Sequence, residues 1–198
     1  LAVVIGSLIQ IILVHSLILR LLARLPVIPF FRGIIDALVV AFSTASSSAT
    51  LPVAMTVAGK NLGVSPSVYS TVLPLGASIG KDGTAMYVGL LSIFSLQAFG
   101  VPIDAGILAI VLLTGALAAF GTAPVPSASL FMLAAVLSAV GVAPEQTALI
   151  VGFVLPFDRL LDMTRTVPSA SANLTVATTV ARWEGELDQS IYRAPPQR

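Results

Sequence analysis

Apolar positions in this chain fall into long runs, not into the alternation of strands or the one-sided stripe of a soluble helix. The first run, 1–22, is about as long as the roughly 20 residues a helix needs to cross a bilayer, and Arg20, Arg24 and Arg32 follow or end it. The second, 33–58, is interrupted in its middle by Ser43-Thr44-Ala45-Ser46-Ser47-Ser48-Ala49-Thr50 and then by Pro52. A turn, Asn61-Leu62-Gly63-Val64-Ser65-Pro66, leads into a third run, 67–99, expected to break at Gly76 and at Gly80-Lys81-Asp82-Gly83-Thr84. The fourth, 103–140, carries Gly121-Thr122-Ala123-Pro124-Val125-Pro126-Ser127-Ala128-Ser129 at its centre. The fifth, 147–180, holds Asp158, Arg159, Asp162 and Arg165 before a polar tail. A long apolar run with a polar break reads as two half-helices meeting at a tip, because irregular backbone inside a membrane must line a cavity or be buried in protein.

The pattern predicts an all-α integral membrane protein: two re-entrant helical hairpins plus broken transmembrane helices, arranged as an inverted repeat. The expected divisions are a transmembrane helix at 1–24, a domain of hairpins and long helices at 25–180 and a cytoplasmic tail at 181–198. Within the middle domain they are a hairpin at 33–60, a broken helix at 66–99, a hairpin at 103–141 and a helix at 145–180. A hairpin returns to its starting side and a span crosses, so the second pair enters from the opposite face. Interrupted segments at matching places in two halves point to a binding site near mid-membrane. Val125-Pro126-Ser127-Ala128-Ser129 recurs as Val167-Pro168-Ser169-Ala170-Ser171. Orientation follows from basic residues. Arg20, Arg24, Arg32, Lys60, Arg182, Arg193 and Arg198 gather on one side, whereas the loops near Asp104 and Glu145 have no Lys or Arg. The first hairpin and the C-terminus are therefore assigned to the cytoplasmic side, with material expected upstream of Leu1.

Composition agrees. Charged residues make up 10% of the 198, against roughly 25% in soluble domains, and mean hydropathy is +1.01. A net charge of +1 gives no electrostatic basis for binding nucleic acid, and with no cysteine there are no disulfides or thiolate metal sites.

Six charges are expected at membrane depth: Lys81, Asp82, Asp158, Arg159, Asp162 and Arg165. Each is costly there, by at least ~2.5 kcal/mol at mid-span, so such residues generally pair and serve a function. Asp158, Asp162, Arg165, Ser169 and Asn173 recur at helical spacing along one face. One reading is a salt-bridge network that only holds helices together. The other is a solute site, with the Arg165 fork reading a carboxylate and Asp162 an ammonium group. Ser46-Ser47-Ser48 offers hydroxyls and helix-N-terminal N–H groups, a ready anion site. Gly80-Lys81-Asp82-Gly83-Thr84 is either a Lys81–Asp82 pair at a kink or a set of oxygen ligands for a hard cation. His15, alone in an apolar run, reads first as a packed, hydrogen-bonded residue.

These residues, in this order, resemble the dicarboxylate/amino acid:cation symporter family. The resemblance runs through Ser46-Ser47-Ser48-Ala49-Thr50-Leu51-Pro52, Leu73-Pro74-Leu75-Gly76-Ala77, Asp82-Gly83-Thr84-Ala85, Gly121-Thr122 and Asp162-Met163-Thr164-Arg165-Thr166, and covers nearly the whole chain. It implies a secondary active symporter of acidic amino acids or four-carbon dicarboxylates. Such a transporter works by elevator movement against a trimeric scaffold, most of which would lie in an absent N-terminal half. Partners would be a small acidic solute, the bilayer and two further copies; the location would be a plasma membrane, of the bacterial inner-membrane type. It implies no enzyme activity and no organic cofactor, with sodium or a proton as coupling ion.

By matching positions, the resemblance assigns the substrate carboxylate to Ser46, Ser47 and the main chain at Val125, the amino group to Asp162 and the side-chain carboxylate to Arg165. Thr84, Ser129, Thr166 and Ser169 would line the site, and 121–129 would be the extracellular gate. Sodium would lie among Gly76, Ser78, Gly80, Asp82, Thr122 and Asn173. Here the chain departs from the family: Gly80 and Lys81 stand where an Asn-Met pair is usual, Ser169 for an Asn, and Asn173 for a sodium-binding Asp. The expectation is that Lys81 stands in for one bound cation, with Asp158, Asp82 or His15 as candidate protonated groups. Pro124, Ser127 and Ser129 replace glycines at the second tip and would stiffen it. Two other readings compete: a paralogue that binds but does not move solute, and a serine hydrolase pairing Ser47 with His15, which no nucleophile-elbow pattern supports.

Overall fold

The structure is a computed structural model and describes residues 1–197; Arg198, counted above among the tail's positive charges, lies outside them. Among the described residues there are helices and no strand. Helix α1 (Ala2–Ala23) contains two wide-turn π-helical stretches, Gln10–His15 and Leu19–Ala23, and stops where Arg24 turns left-handed at φ 54°. Helix α2 (Val27–Thr44) starts behind Pro26 and stops at Ala45, also left-handed at φ 51°. Helix α3 (Ser47–Lys60) is capped by Ser46, α4 (Pro66–Ile79) opens on a proline, and α5 (Asp82–Ala98) follows a two-residue break at Gly80 and Lys81. Helix α6 (Ala105–Gly121) is capped by Asp104, α7 (Ala128–Ala139) follows a tip at 122–127, and α8 (Pro144–Glu184) ends at Gly185. A last short helix, α9 (Gln189–Arg193), is capped by Asp188.

Helix α8 is the axis. It runs unbroken for 41 residues through Pro156 and Pro168, about 60 Å at 1.5 Å per residue, and α1 to α5 and α7 all pack against it. The third run breaks at Gly80 and Lys81 as expected, but α4 passes through Gly76 without interruption, and Pro52 likewise sits inside α3. Pro52 is the sixth residue of α3, so its missing N–H leaves the Ser48 carbonyl without the usual intrahelical donor, and the helix continues through it all the same.

Two apolar cores form at opposite ends of α8. One joins Leu19, Phe30, Ile34, Leu62 and Leu73 to Leu174, Ala177 and Tyr192; the other joins Tyr87, Val88, Leu96, Leu133 and Leu137 to Ile150 and Val154. The outer surface is apolar too. Helices α1 and α2 have mean hydropathies of 2.4 and 1.7, and only 22% and 28% of those stretches is buried. Leu112 and Phe131 are 71% and 76% exposed. Water does not tolerate so continuous an apolar exterior on a monomer; lipid does.

The tail is stitched to the first core. Asp188 N–H donates to the Gly63 carbonyl at 2.8 Å, Ser65 N–H to the Glu186 carbonyl at 3.1 Å, and the buried Tyr192 hydroxyl to the Pro26 carbonyl at 2.7 Å. Gly63 is left-handed at φ 66°, and a Cβ there would strike the Asp188 carbonyl. The Ser190 hydroxyl, then the Ser190 and Ile191 N–H groups, hold the exposed Asp188 carboxyl below the usual carboxylate range.

Candidate functional site

Between the two cores lies a polar waist. The face of α8 read from the sequence turns inward: Asp158, Asp162, Arg165 and Ser169 are buried, and Asn173 partly so. Arg159 is exposed and stays out of the cluster, because it follows Asp158 by ~100° around the helix. Arg165 forms an ion pair with Asp162, donates from Nη1 to the Thr84 hydroxyl at 2.6 Å, and stacks over the Tyr87 ring at 5.3 Å. Its Nε is buried with no partner. Asp158 looks away from Arg165 and accepts from the Tyr87 hydroxyl at 2.9 Å.

The start of α5 meets α8 backbone to backbone. A Cβ on Gly83 would strike the Arg165 carbonyl, so only glycine allows this approach, and Gly83 N–H then donates to the Ser169 hydroxyl at 3.1 Å. This contact brings Lys81 and Thr84 to the same small space as Arg165.

Two tips close the site. Ser46 caps α3 by accepting from Ala49 N–H at 3.2 Å, and its hydroxyl donates to the Pro124 carbonyl of the other tip at 2.8 Å. Ser127 N–H donates to Asp162 at 2.7 Å. Ser47, Lys81, Thr84, Val125, Arg165, Thr166 and Ser169 line one narrow, partly open space of about 10 Å³, with Ala45, Ala123 and Pro124 completing its wall. That is roughly the room one water needs and far below the ~300–1,000 Å³ of ligand pockets, so a solute enters only when the tips part.

Of the nine residues assigned to substrate, six therefore share one cavity. Ser46 is the latch at its edge, and Asp162 lies behind Arg165. Ser129 is fully buried, and its hydroxyl has no partner and does not line the space. Lys81, expected to act on coupling, lies in the substrate cavity itself, 5% exposed.

The residues assigned to sodium do not gather. Asp82 points to α1, where its carboxylate accepts from Gln10 at 2.7 Å and faces His15 Nε2 at 3.3 Å, besides taking Gly83 N–H at 2.9 Å. The expected alternative of a Lys81–Asp82 pair is not formed. Ser78 is exposed and spends its hydroxyl on the Pro74 carbonyl; Thr122 spends its own on Ala118. Only Gly76, Gly80 and Asn173 adjoin, with Asn173 Oδ1 pressed against both glycines. An amide oxygen and backbone carbonyls would meet a cation with dipoles alone, which fits a weak site and not a carboxylate-based one. His15 is buried, with Nδ1 on the Ser171 hydroxyl at 2.9 Å and Nε2 facing Asp82, so neither ring nitrogen is paired with Ser47 as a hydrolase would need.

A polar waist closed by two tips over a paired arginine, inside an all-helical body with an apolar exterior, suits a membrane carrier of acidic solutes. The match to known proteins is direct. The family described as "Sodium:dicarboxylate symporter family" matches residues 1–183. This chain belongs to that family. Excitatory amino acid transporter 2 of Homo sapiens is 44% identical over 137 residues, which is 69% of this chain and 23% of that protein. An excitatory amino acid transporter of Caenorhabditis elegans is 45% identical over 137 residues, 69% of this chain and 26% of its own length. A putative sodium-dependent excitatory amino acid transporter of the same species is 38% identical over 178 residues, 90% of this chain and 35% of that protein. The chain thus spans about a quarter to a third of the length of these relatives.

Proposed function

We propose that this chain is the solute-carrying part of a cation-coupled symporter for acidic amino acids, with four-carbon dicarboxylates as the closest alternative solute class. The observation that carries the reading is Arg165. It is a buried guanidinium with one face paired to Asp162 and the cavity in front of it closed by two opposed tips. A guanidinium stays charged when dry and reads a carboxylate through two N–H groups. The names of the relatives support acidic amino acids, and the family's description names sodium as coupling ion and dicarboxylate as solute.

In this reading α2–α3 and α6–α7 are the two re-entrant hairpins of an inverted repeat, and 122–127 is the outer gate. The hairpins, α4–α5 and α8 move together as an elevator against a scaffold of three copies. Lys60, Arg24 and Arg193 lie near the stitched tail, which supports a cytoplasmic C-terminus in a plasma membrane.

The test uses the full-length protein in proteoliposomes: uptake of radiolabelled aspartate under a sodium gradient, then under a proton gradient alone. Uptake under either gradient supports symport, and the pair of results names the ion. A second reading is a protein that binds without transporting. The features that favour it are Pro124 and Pro126 in the gate and the left-handed Ser127, which restrain a segment that has to move. Thermal stabilisation by aspartate without uptake under any gradient would establish that reading.

A further inference from the structure

We propose that Lys81 is a substrate-binding residue whose ammonium takes one carboxylate of the solute and supplies, from the chain itself, positive charge that makes acidic-solute binding independent of sodium. The proposal rests on the reading that this cavity receives an acidic solute. Lys81 is 5% exposed, yet among the described residues its ammonium has no ion-pair partner and no hydrogen-bond acceptor. The side chain is buried while the ammonium itself keeps some access to solvent, and a charge held there without a partner in the protein favours an anion beside it. The nearby acids make their contacts with other groups. Asp162 is held by Arg165 and by Ser127 N–H. Asp158 accepts from Tyr87 through Oδ1 and leaves Oδ2 buried without a partner, with no ion pair to Lys81. Asp82, the next residue in the chain, starts α5 with its carboxylate turned to Gln10 and His15 on α1. Lys81 thus has no anion of the described residues on its ammonium, and it lines with Arg165 the small space between the two tips.

Two cationic groups at one cavity suit two carboxylates. The residues assigned to sodium bear on the same point. They fail to converge, and the three that adjoin, Gly76, Gly80 and Asn173, bring no carboxylate. Charge compensation of the bound acid falls to a residue that cannot leave, where a mobile cation would have come and gone.

The test is calorimetric titration of the full-length protein in detergent with L-aspartate, in sodium chloride and in choline chloride. Alongside the wild type, Lys81→Met keeps length and volume without charge, and Lys81→Arg keeps the charge. The wild type is expected to bind with Kd values that agree within about threefold in the two salts, less than 1 kcal/mol. Lys81→Met is expected to bind roughly 10- to 100-fold more weakly in choline, the loss of one charge-assisted contact, and Lys81→Arg to retain most of the affinity. Wild-type binding that appears only with sodium overturns the proposal, whatever the variants do. So does undiminished binding by Lys81→Met. Binding in neither salt overturns the prior reading of the cavity itself, and the two failures are distinguished by the sodium titration alone.

Discussion

The two tips that meet over the cavity are built on opposite principles. The first turns in two residues: Ala45 goes left-handed, Ser46 caps α3, and Thr50 returns its hydroxyl to the Ser46 carbonyl at 2.8 Å. It satisfies its own backbone. The second spends six residues, 122–127, with two prolines and a left-handed Ser127 whose side chain makes no capping bond for α7. Its two ends are tied to their own helices, Thr122 to Ala118 and Ala119 and the Ser127 carbonyl to Leu130 N–H, but between them the ties run outward: Ser127 N–H donates to Asp162, and the Pro124 carbonyl accepts from Ser46. A tip that carries its own hydrogen bonds stays put; one held by its neighbours is released when they find another partner. In the proposed reading, the difference favours the second tip as the moving part, with Asp162 and Ser46 as what it lets go of.

The largest test of that contrast is Asp162→Ala. It strands the Arg165 guanidinium and the Ser127 N–H together, and breaking a buried pair costs roughly 3–5 kcal/mol. Hydrogen exchange is expected to rise across 122–127 while the 45–50 tip stays protected; equal deprotection of both would erase the distinction. Lys81→Met acts in the opposite direction. Removing an unpartnered charge from a buried side chain raises the ligand-free melting temperature by several degrees, corresponding to about 1–3 kcal/mol, even as it weakens solute binding. Ser46→Ala removes both a cap and the latch to Pro124, expected to cost about 1–2 kcal/mol and to speed solute release in stopped-flow measurements. Ser127→Gly relieves a left-handed conformation while loosening the chain, so stability changes by less than ~1 kcal/mol and only exchange at the second tip increases. The smallest effect is with pH. Asp188 titrates below its unfolded value, so its contribution is complete above that value and is lost as pH falls through the lower, folded one. Acid below the ordinary carboxylate range is expected to fray α9, seen by exchange at Ser190 and Ile191, while mild acid leaves it intact.

Much of this was legible in the sequence because helix punctuation is local. Serine runs, Gly-Lys and Gly-Thr-Ala-Pro each mark a place where a helix stops, and the charges of α8 share a face because 3.6 residues make a turn. What escaped was set by distance along the chain. Asp82 looks to α1, 67 residues earlier, and not to its neighbour Lys81, and no local rule pairs a glutamine and a histidine in an apolar helix with it. Gly76 was read as a break because glycine weakens helices. It serves instead as the flat surface on which Asn173 rests. Arg159 was counted inside since its neighbours were, and one residue of helical rotation put it outside.

The two apolar cores also order events in time. All but Val3 of the second core's buried members lie between 87 and 154, so that lobe closes with modest loops as soon as α8 begins to emerge. The first lobe needs Leu174, Ala177, Ala181 and Tyr192 to cover residues from Leu19 to Leu73, and must wait for nearly the whole stretch between them. Synthesis therefore leaves the earlier-made helices incompletely packed until the C-terminal segment arrives. Truncating the chain at Gly185 would remove the clasp that completes the lobe and leave those helices exposed to quality-control proteases.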